Sequence, residues 1–280
     1  MLIVVSPAKS LDFDAPAKTK KFTTPSFLDD SQKLVRDLRK LSPDDISALM
    51  GVSVKLGALN HERFANWHTP FDLDNAKQAL FAFKGDVYIG LDAQQFSAAD
   101  LTFAQKHLRI LSGLYGVLRP LDLMQPYRLE MGRKFASGKA KSLYEFWGER
   151  LTQFLNDELA AHRGKSKALV NLASNEYFNS LKPQLLDADV ITPVFKDFSG
   201  GKYKIVSFYA KKARGEMAAY IIKNRLKDPA ALLDYDVSGY AYSPADSKPN
   251  QPVFLRKLWA APTCPSARAA RTISGPSWKG

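Results

Sequence analysis

The chain opens Met1-Leu-Ile-Val-Val5-Ser-Pro-Ala-Lys9, and this stretch decides the fold. Leu2 to Val5 is a wholly apolar run with three β-branched residues. Such a run, stopped by a turn signal, reads as a strand buried on both faces. Pro7 cannot extend a central strand, so Ser6 to Ser10 emerges from the strand's carboxyl end. Working outward, strand patterns recur at Asp86 to Ile89, Leu108 to Leu111, Ala168 to Leu172, Val190 to Phe195 and Tyr203 to Tyr209. Helical spacing is predicted over Ser26 to Lys40, Asn75 to Ala82, Ser97 to His107, Ser142 to His162 and Lys211 to Arg225. Ser42-Pro43-Asp44-Asp45 is a helix start, with an N-cap serine, proline at the first position and acids in the first turn. That helix runs to Met50, the chain breaks at Gly51, and another helical stretch follows to about Trp67. Ser112 to Pro120 reads as a Gly- and Pro-punctuated loop.

Strands and helices intermingle with no repeat and no clean linker. The fold class expected is α/β (mixed α+β): one compact domain over 1–258, with a mixed β-sheet and flanking helices. Residues 26–67 form a purely helical subregion. Residues 259–280, rich in Pro, Gly and Ser, read as a flexible basic tail.

Composition supports a globular chain: 45% of the 280 residues are apolar and 24% charged. This excludes disordered, collagen-like and disulfide-scaffold classes. Forty Lys and Arg against 28 Asp and Glu give a net charge of +12. The tail holds only Arg268, Arg271 and Lys279 of the excess, so the body is strongly basic and suited to a polyanion. The lone cysteine, Cys264, permits no internal disulfide. There is no signal peptide pattern and no run of 18 apolar residues. A cytoplasmic protein with no membrane partner is expected.

Three features point to anion chemistry. In Leu49-Met-Gly51-Val-Ser53-Val-Lys55 one helix ends, glycine turns the chain and a lysine opens the next helix. The pattern resembles a helix-hairpin-helix nucleic-acid element, in which glycine admits a phosphate to the backbone and free N–H groups face it. The second glycine of that pattern is Ser53 here, and a plain two-helix turn matches equally well. In Tyr209-Ala-Lys211-Lys212-Ala-Arg214-Gly215 three cations open a helix, against the macrodipole. A bound anion would satisfy both them and the free N–H groups. Loops at carboxyl ends of strands are the third feature, since sites in open α/β sheets lie there. They bring Lys9, Arg119 and Arg128 toward Lys211 and Arg214 as one basic cleft. Tyr115, Tyr127, Tyr144 and Tyr209 could stack on bases or pack in the core. Ser6 with Lys9 fits a nucleophile pair only weakly, and a strand-end turn accounts for both. His61, His68, His107 and His162 show no metal-ligand spacing. No Walker A or dinucleotide glycine motif is present. No cofactor and no metal are expected.

Six runs carry a family resemblance: Met1 to Lys9, Phe83 to Tyr88, Leu111 to Asp122, Pro126 to Gly132, Asn171 to Ser174 and Ile205 to Gly215. Together they resemble the bacterial peroxide stress resistance protein YaaA family, from Met1 to about Lys257. The resemblance implies a role in the peroxide response, limiting free iron and oxidative damage. It also implies an unusual compact α/β fold, DNA as partner, a helix-hairpin-helix element and a basic cleft, with no established catalytic activity. The DNA-contacting residues expected are Lys9, Gly51, Ser53, Lys55, Arg119, Arg128, Lys211, Lys212 and Arg214. Two other readings stay open: an enzyme acting on damaged nucleic acid or a phosphorylated metabolite in the same cleft, and, less favoured by the residues, direct iron sequestration.

Overall fold

The computed structural model describes residues 1–161 and 167–257. Strands β1 (Leu2–Val5) and β2 (Ser10–Leu11) precede three helices: α1 (Leu28–Leu38), α2 (Pro43–Met50) and α3 (Val54–Asn66). Short elements follow: β3 (Lys77–Gln78), α4 (Ala79–Ala82), β4 (Phe83–Lys84) and α5 (Asp86–Leu91). Helix α6 (Ala98–His107) runs into β5 (Leu108–Ser112), β6 (Gly116–Leu118) and β7 (Leu123–Met124). Next come α7 (Leu143–Trp147), α8 (Arg150–Ala161), β8 (Ala168–Leu172), α9 (Asn175–Phe178), β9 (Asp189–Ile191), β10 (Val194–Ser199) and β11 (Lys202–Lys204). Helix α10 (Ser207–Lys223), β12 (Tyr240–Tyr242) and β13 (Val253–Arg256) complete the fold.

The opening strand sits where its sequence demands. β1 is the middle of a five-stranded sheet ordered β6-β5-β1-β8-β9, and its four residues are fully buried. β5, β1, β8 and β9 run parallel, and β6 is antiparallel at one edge. A second sheet is ordered β11-β10-β13-β12. One hydrophobic cluster spans both sheets, from Leu2–Val5 through Met217 and Ile221 of α10 to Phe195 and Phe254. The molecule is thus a single compact mixed α/β fold.

Several predicted elements take another form. Asp86 to Ile89 is helix α5, not a strand. Its backbone crosses α10 at two glycines: a β-carbon on Gly90 would come within 2.1 Å of the Lys212 carbonyl oxygen, and one on Gly215 within 1.8 Å of the Val87 carbonyl oxygen. Backbone packing there overrides the strand propensity of Val87, Tyr88 and Ile89. Tyr203 to Tyr209 is a strand only to Lys204, where pairing with β10 ends. α10 begins at Ser207, four residues earlier than the spacing predicts. Asn75 to Ala82 divides into β3, paired with β7, and the single turn α4. Gly116–Leu118 is a strand rather than loop. Gly148, at φ 56°, separates α7 from α8 within the predicted long helix. Thr192-Pro193 splits the predicted Val190–Phe195 strand, and the chain changes sheets there. His162, Cys264 and the predicted tail lie outside the described residues.

The helical pair α2–α3 follows its sequence closely. Ser42 and Asp45 form a reciprocal capping box, with Pro43 in the first turn. Gly51 ends α2 in the left-handed region at φ 59°. The Ser53 side chain caps α3, accepting from the Leu56 N–H at 3.4 Å. Gly57 lets the helices touch, since a β-carbon there would lie 1.8 Å from Ser47 Oγ.

Candidate functional site

The carboxyl ends of β1 and β8 open onto a cavity of about 460 Å³. Ser6 and Ser174 join its floor: the Ser174 N–H donates to Ser6 Oγ at 2.8 Å, and the Ser6 hydroxyl donates to Ser174 Oγ at 3.3 Å. The Tyr88 hydroxyl donates to the Ser6 carbonyl at 3.1 Å. Ser6 is therefore a clasp between strand ends, and its neighbour Lys9 reaches Glu130 instead, at 3.4 Å. Tyr88 and Tyr177 form an aromatic wall; burial pushes both phenols well above the usual tyrosine range.

Two cations of α10 face this cavity, Lys211 and Arg214. They are three residues apart, hence on one face of the helix. Among the described residues neither has an ion pair or hydrogen bond of its own. Arg214 is half-buried, and desolvation lowers its pKa from the usual arginine value. Because α10 starts at Ser207, these cations stand in its second and third turns, not at its free N–H groups. The predicted macrodipole conflict is thereby removed, and the anion argument moves to the cavity.

Glu130 is the site's central carboxylate, 4% exposed. Arg128 approaches it at 3.2 Å, Arg133 at 3.3 Å and Lys9 at 3.4 Å. Burial alone would raise its pKa. The Arg133 hydrogen bond and the charges of Arg128, Arg133 and Lys9 outweigh burial and hold the carboxyl below the usual range. Arg133 also lies against the α2–α3 turn: a β-carbon on Gly51 would meet its Nη1 at 3.2 Å. Thus Gly51 adjoins Glu130 through one arginine, and Ser53 and the exposed Lys55 follow it in the chain at the start of α3.

The nine predicted contacts separate accordingly. Lys9, Lys211 and Arg214 line the cavity, and Gly51, Ser53 and Lys55 form the adjoining turn. Arg128 stands behind, against Glu130. Two leave the site. Lys212 points away and pairs with Glu216 at 3.3 Å. Arg119 lies toward the opposite end of the sheet, because β6 runs antiparallel to β5. It bonds Glu158 at 2.7 Å, shares that carboxylate with Arg109, and stacks on Phe154. Of the tyrosines, Tyr115 and Tyr127 are core residues, with hydroxyls bonded to Trp67 and Ser112. The Tyr144 hydroxyl donates to the Glu176 carbonyl, and Tyr209 lies beneath Arg256. Sequence reasoning missed Glu130, Arg133, Glu176, Tyr88 and Tyr177. An acid flanked by arginines in Arg128-Leu-Glu130-Met-Gly-Arg133 was the available signal.

Comparison with known proteins places this geometry in a lineage. A family model described as "Peroxide stress protein YaaA" matches residues 1–246. The chain belongs to the peroxide stress protein YaaA family. A UPF0246 protein of Burkholderia vietnamiensis is 56% identical over 258 residues, covering 92% of this chain and 99% of that relative. A UPF0246 protein of Teredinibacter turnerae is 58% identical over 257 residues, covering 92% of this chain and all of that relative. In this YaaA-family chain no helix among the described residues is long and apolar enough to cross a membrane. No group of three His, Cys, Asp or Glu side chains placed to hold a metal ion occurs among them either.

Proposed function

We propose that this peroxide stress protein acts by binding DNA, with phosphates held at the α2–α3 turn and along the cleft, and so limits iron-dependent oxidative damage. The observation that carries this reading is the continuity of the two basic features. Arg133 lies beside Gly51 and pairs with Glu130, which Lys9 also reaches, so one arginine links the turn that precedes Lys55 to the cavity that Lys9, Lys211 and Arg214 line. Arg133 lies against Gly51 at the end of α2, and Lys55 stands in the first turn of α3 behind the Ser53 cap, so a phosphate at this turn meets cations beside a helix N-terminus. Such contacts position a duplex without reading its bases.

The test is binding of the full chain to duplex, single-stranded and four-way-junction DNA at two salt concentrations. Neutralising about six phosphates gives log affinity against log salt a slope near −5. Lys55→Ala and Lys211→Ala each weaken binding to all sequences alike and reduce that slope by about one. The same variants lose protection of duplex DNA against cleavage by ferrous iron and peroxide. Binding that is absent, or indifferent to salt, overturns the proposal.

A further inference from the structure

The cavity between the ends of β1 and β8 has properties that a surface for continuous DNA does not need. The chain leaving β1 returns to the sheet at β5, on one side. The chain leaving β8 returns at β9, on the other. β1 and β8 are neighbours, so this is the point where the connections diverge and a crevice opens beyond the strand ends. Small-molecule ligands of open α/β sheets bind at such points. The volume, about 460 Å³, lies in the range of small-molecule sites and admits one nucleotide-sized molecule.

The lining is two-sided. Four cations border the cavity. Lys9 is paired with Glu130, and Lys84 with Asp12 at 3.4 Å. Lys211 and Arg214 lack such a partner among the described residues, and they share one helix face. Asp86 and Glu176 also line the cavity and form no ion pair among the described residues, so the excess positive charge is local, and the Lys211–Arg214 face is the seat for a phosphate monoester of charge about −1.5 to −2. Arginine adds a planar fork that grips phosphate oxygens in pairs. Acceptor groups and aromatic rings also line it: the Asp86, Glu130 and Glu176 carboxylates, the last accepting the Gly132 N–H at 3.0 Å, and the rings of Tyr88 and Tyr177. Acceptors and rings suit the amino edge and flat faces of a base.

The larger recess beside α1, about 560 Å³, lies on helix flanks away from the strand ends. Its Lys33 is paired with Asp30 at 3.0 Å. Its Arg39 donates to the carbonyls of Phe64 and Ala65, closing the end of α3.

We propose that the β1–β8 cavity binds a nucleoside monophosphate unit, with the phosphate on Arg214 and Lys211 and the base toward Glu176 and the tyrosines. The shared chemistry is a phosphate monoester carrying a nucleoside, whether free or at the end of a strand. The proposal holds independently of duplex binding.

The test is calorimetric titration of the full chain with the four deoxynucleoside 5′-monophosphates, the matching nucleosides and inorganic phosphate. At least one monophosphate is expected to bind tenfold or more tightly than its nucleoside and than phosphate alone. Arg214→Gln and the exposed Lys211→Gln each weaken it about tenfold, while Lys212→Gln leaves it unchanged. Arg214→Gln is confirmed folded by its thermal transition, and Lys211→Gln carries the test should it unfold. Competition by a 5′-phosphorylated and a 5′-hydroxyl oligonucleotide names the source. Preference for the phosphorylated end supports a strand terminus, and equal weak competition supports the free nucleotide. No binding at millimolar concentration, binding equal to the nucleoside or to phosphate, or indifference to both cation variants overturns the proposal.

Discussion

Glu130 shows how one residue organises a site whose other charges are mostly positive. It is buried, yet ionised, because Arg128, Arg133 and Lys9 surround it. Replacing it with glutamine removes the carboxylate those three cations share and leaves Arg128 half-buried with no ion-pair partner among the described residues. Removing one member of a buried charge cluster costs about 3–5 kcal/mol. The low end applies here, since Lys9 and Arg133 can turn to water. The pH dependence follows from the direction of the shift. A carboxyl whose folded pKa is depressed stabilises the fold above its unfolded value, about 4.3, and that contribution is lost as pH falls through the folded pKa. Urea unfolding of wild type and Glu130→Gln should therefore differ by about 3 kcal/mol at pH 7 and converge on acidification below about pH 4. A gap that persists unchanged at low pH would refute the charge account. Arg119 is the residue-scale contrast. Its guanidinium is committed to Glu158 and Phe154, so Arg119→Ala bears on stability and leaves anion binding unaltered.

At the scale of elements, the crossing of α5 and α10 places the two cavity cations, Lys211 and Arg214. Gly90 and Gly215 let the helices meet backbone to backbone, which turns the Lys211–Arg214 face toward the strand ends. Gly215→Ala sets a methyl 1.8 Å from the Val87 carbonyl oxygen, where backbone and not a pliable side chain must yield. Overpacking of this kind costs about 1–3 kcal/mol. The variant should unfold at lower urea and bind phosphate ligands more weakly. Unchanged stability would mean that the crossing tolerates separation. The same crossing explains what the sequence concealed. Val87-Tyr-Ile89 carries strand propensity, and nothing local announces that Gly90 and Gly215 meet 125 residues apart. Elements with local signals were legible: the apolar β1, the Ser42-Pro43 start, the Gly51 end of α2 and the Ser97 cap. The split at Gly148 and the sheet change at Pro193 were also written in residues that break structure.

For the whole molecule, the site was legible as a place more than as a set of partners. The rule that open α/β sheets bind ligands beyond strand carboxyl ends located Lys9 and drew Lys211 and Arg214 to it. It drew in Arg119 wrongly, because the antiparallel direction of β6 is a tertiary fact. Lys212 stands outside the cavity and pairs with Glu216, since a run of cations does not tell which member finds an acid one turn on. The resulting arrangement couples the two proposed activities. Lys9, Lys211 and Arg214 line the cavity, and Arg133 links it through Glu130 to the turn that precedes Lys55. A monophosphate seated on Lys211 and Arg214 neutralises charge that duplex phosphates would otherwise use. Saturating the cavity with the best-binding monophosphate should therefore lower duplex affinity several-fold and reduce the magnitude of the salt slope by about two. Lys55→Ala leaves this antagonism intact, since the turn lies outside the cavity. Fluorescence anisotropy of a labelled duplex, titrated at two salt concentrations with and without the nucleotide, measures both quantities. An unchanged affinity and slope would mean that duplex DNA does not use Lys211 and Arg214, and its contacts would then be sought along Lys55 and the α2–α3 turn.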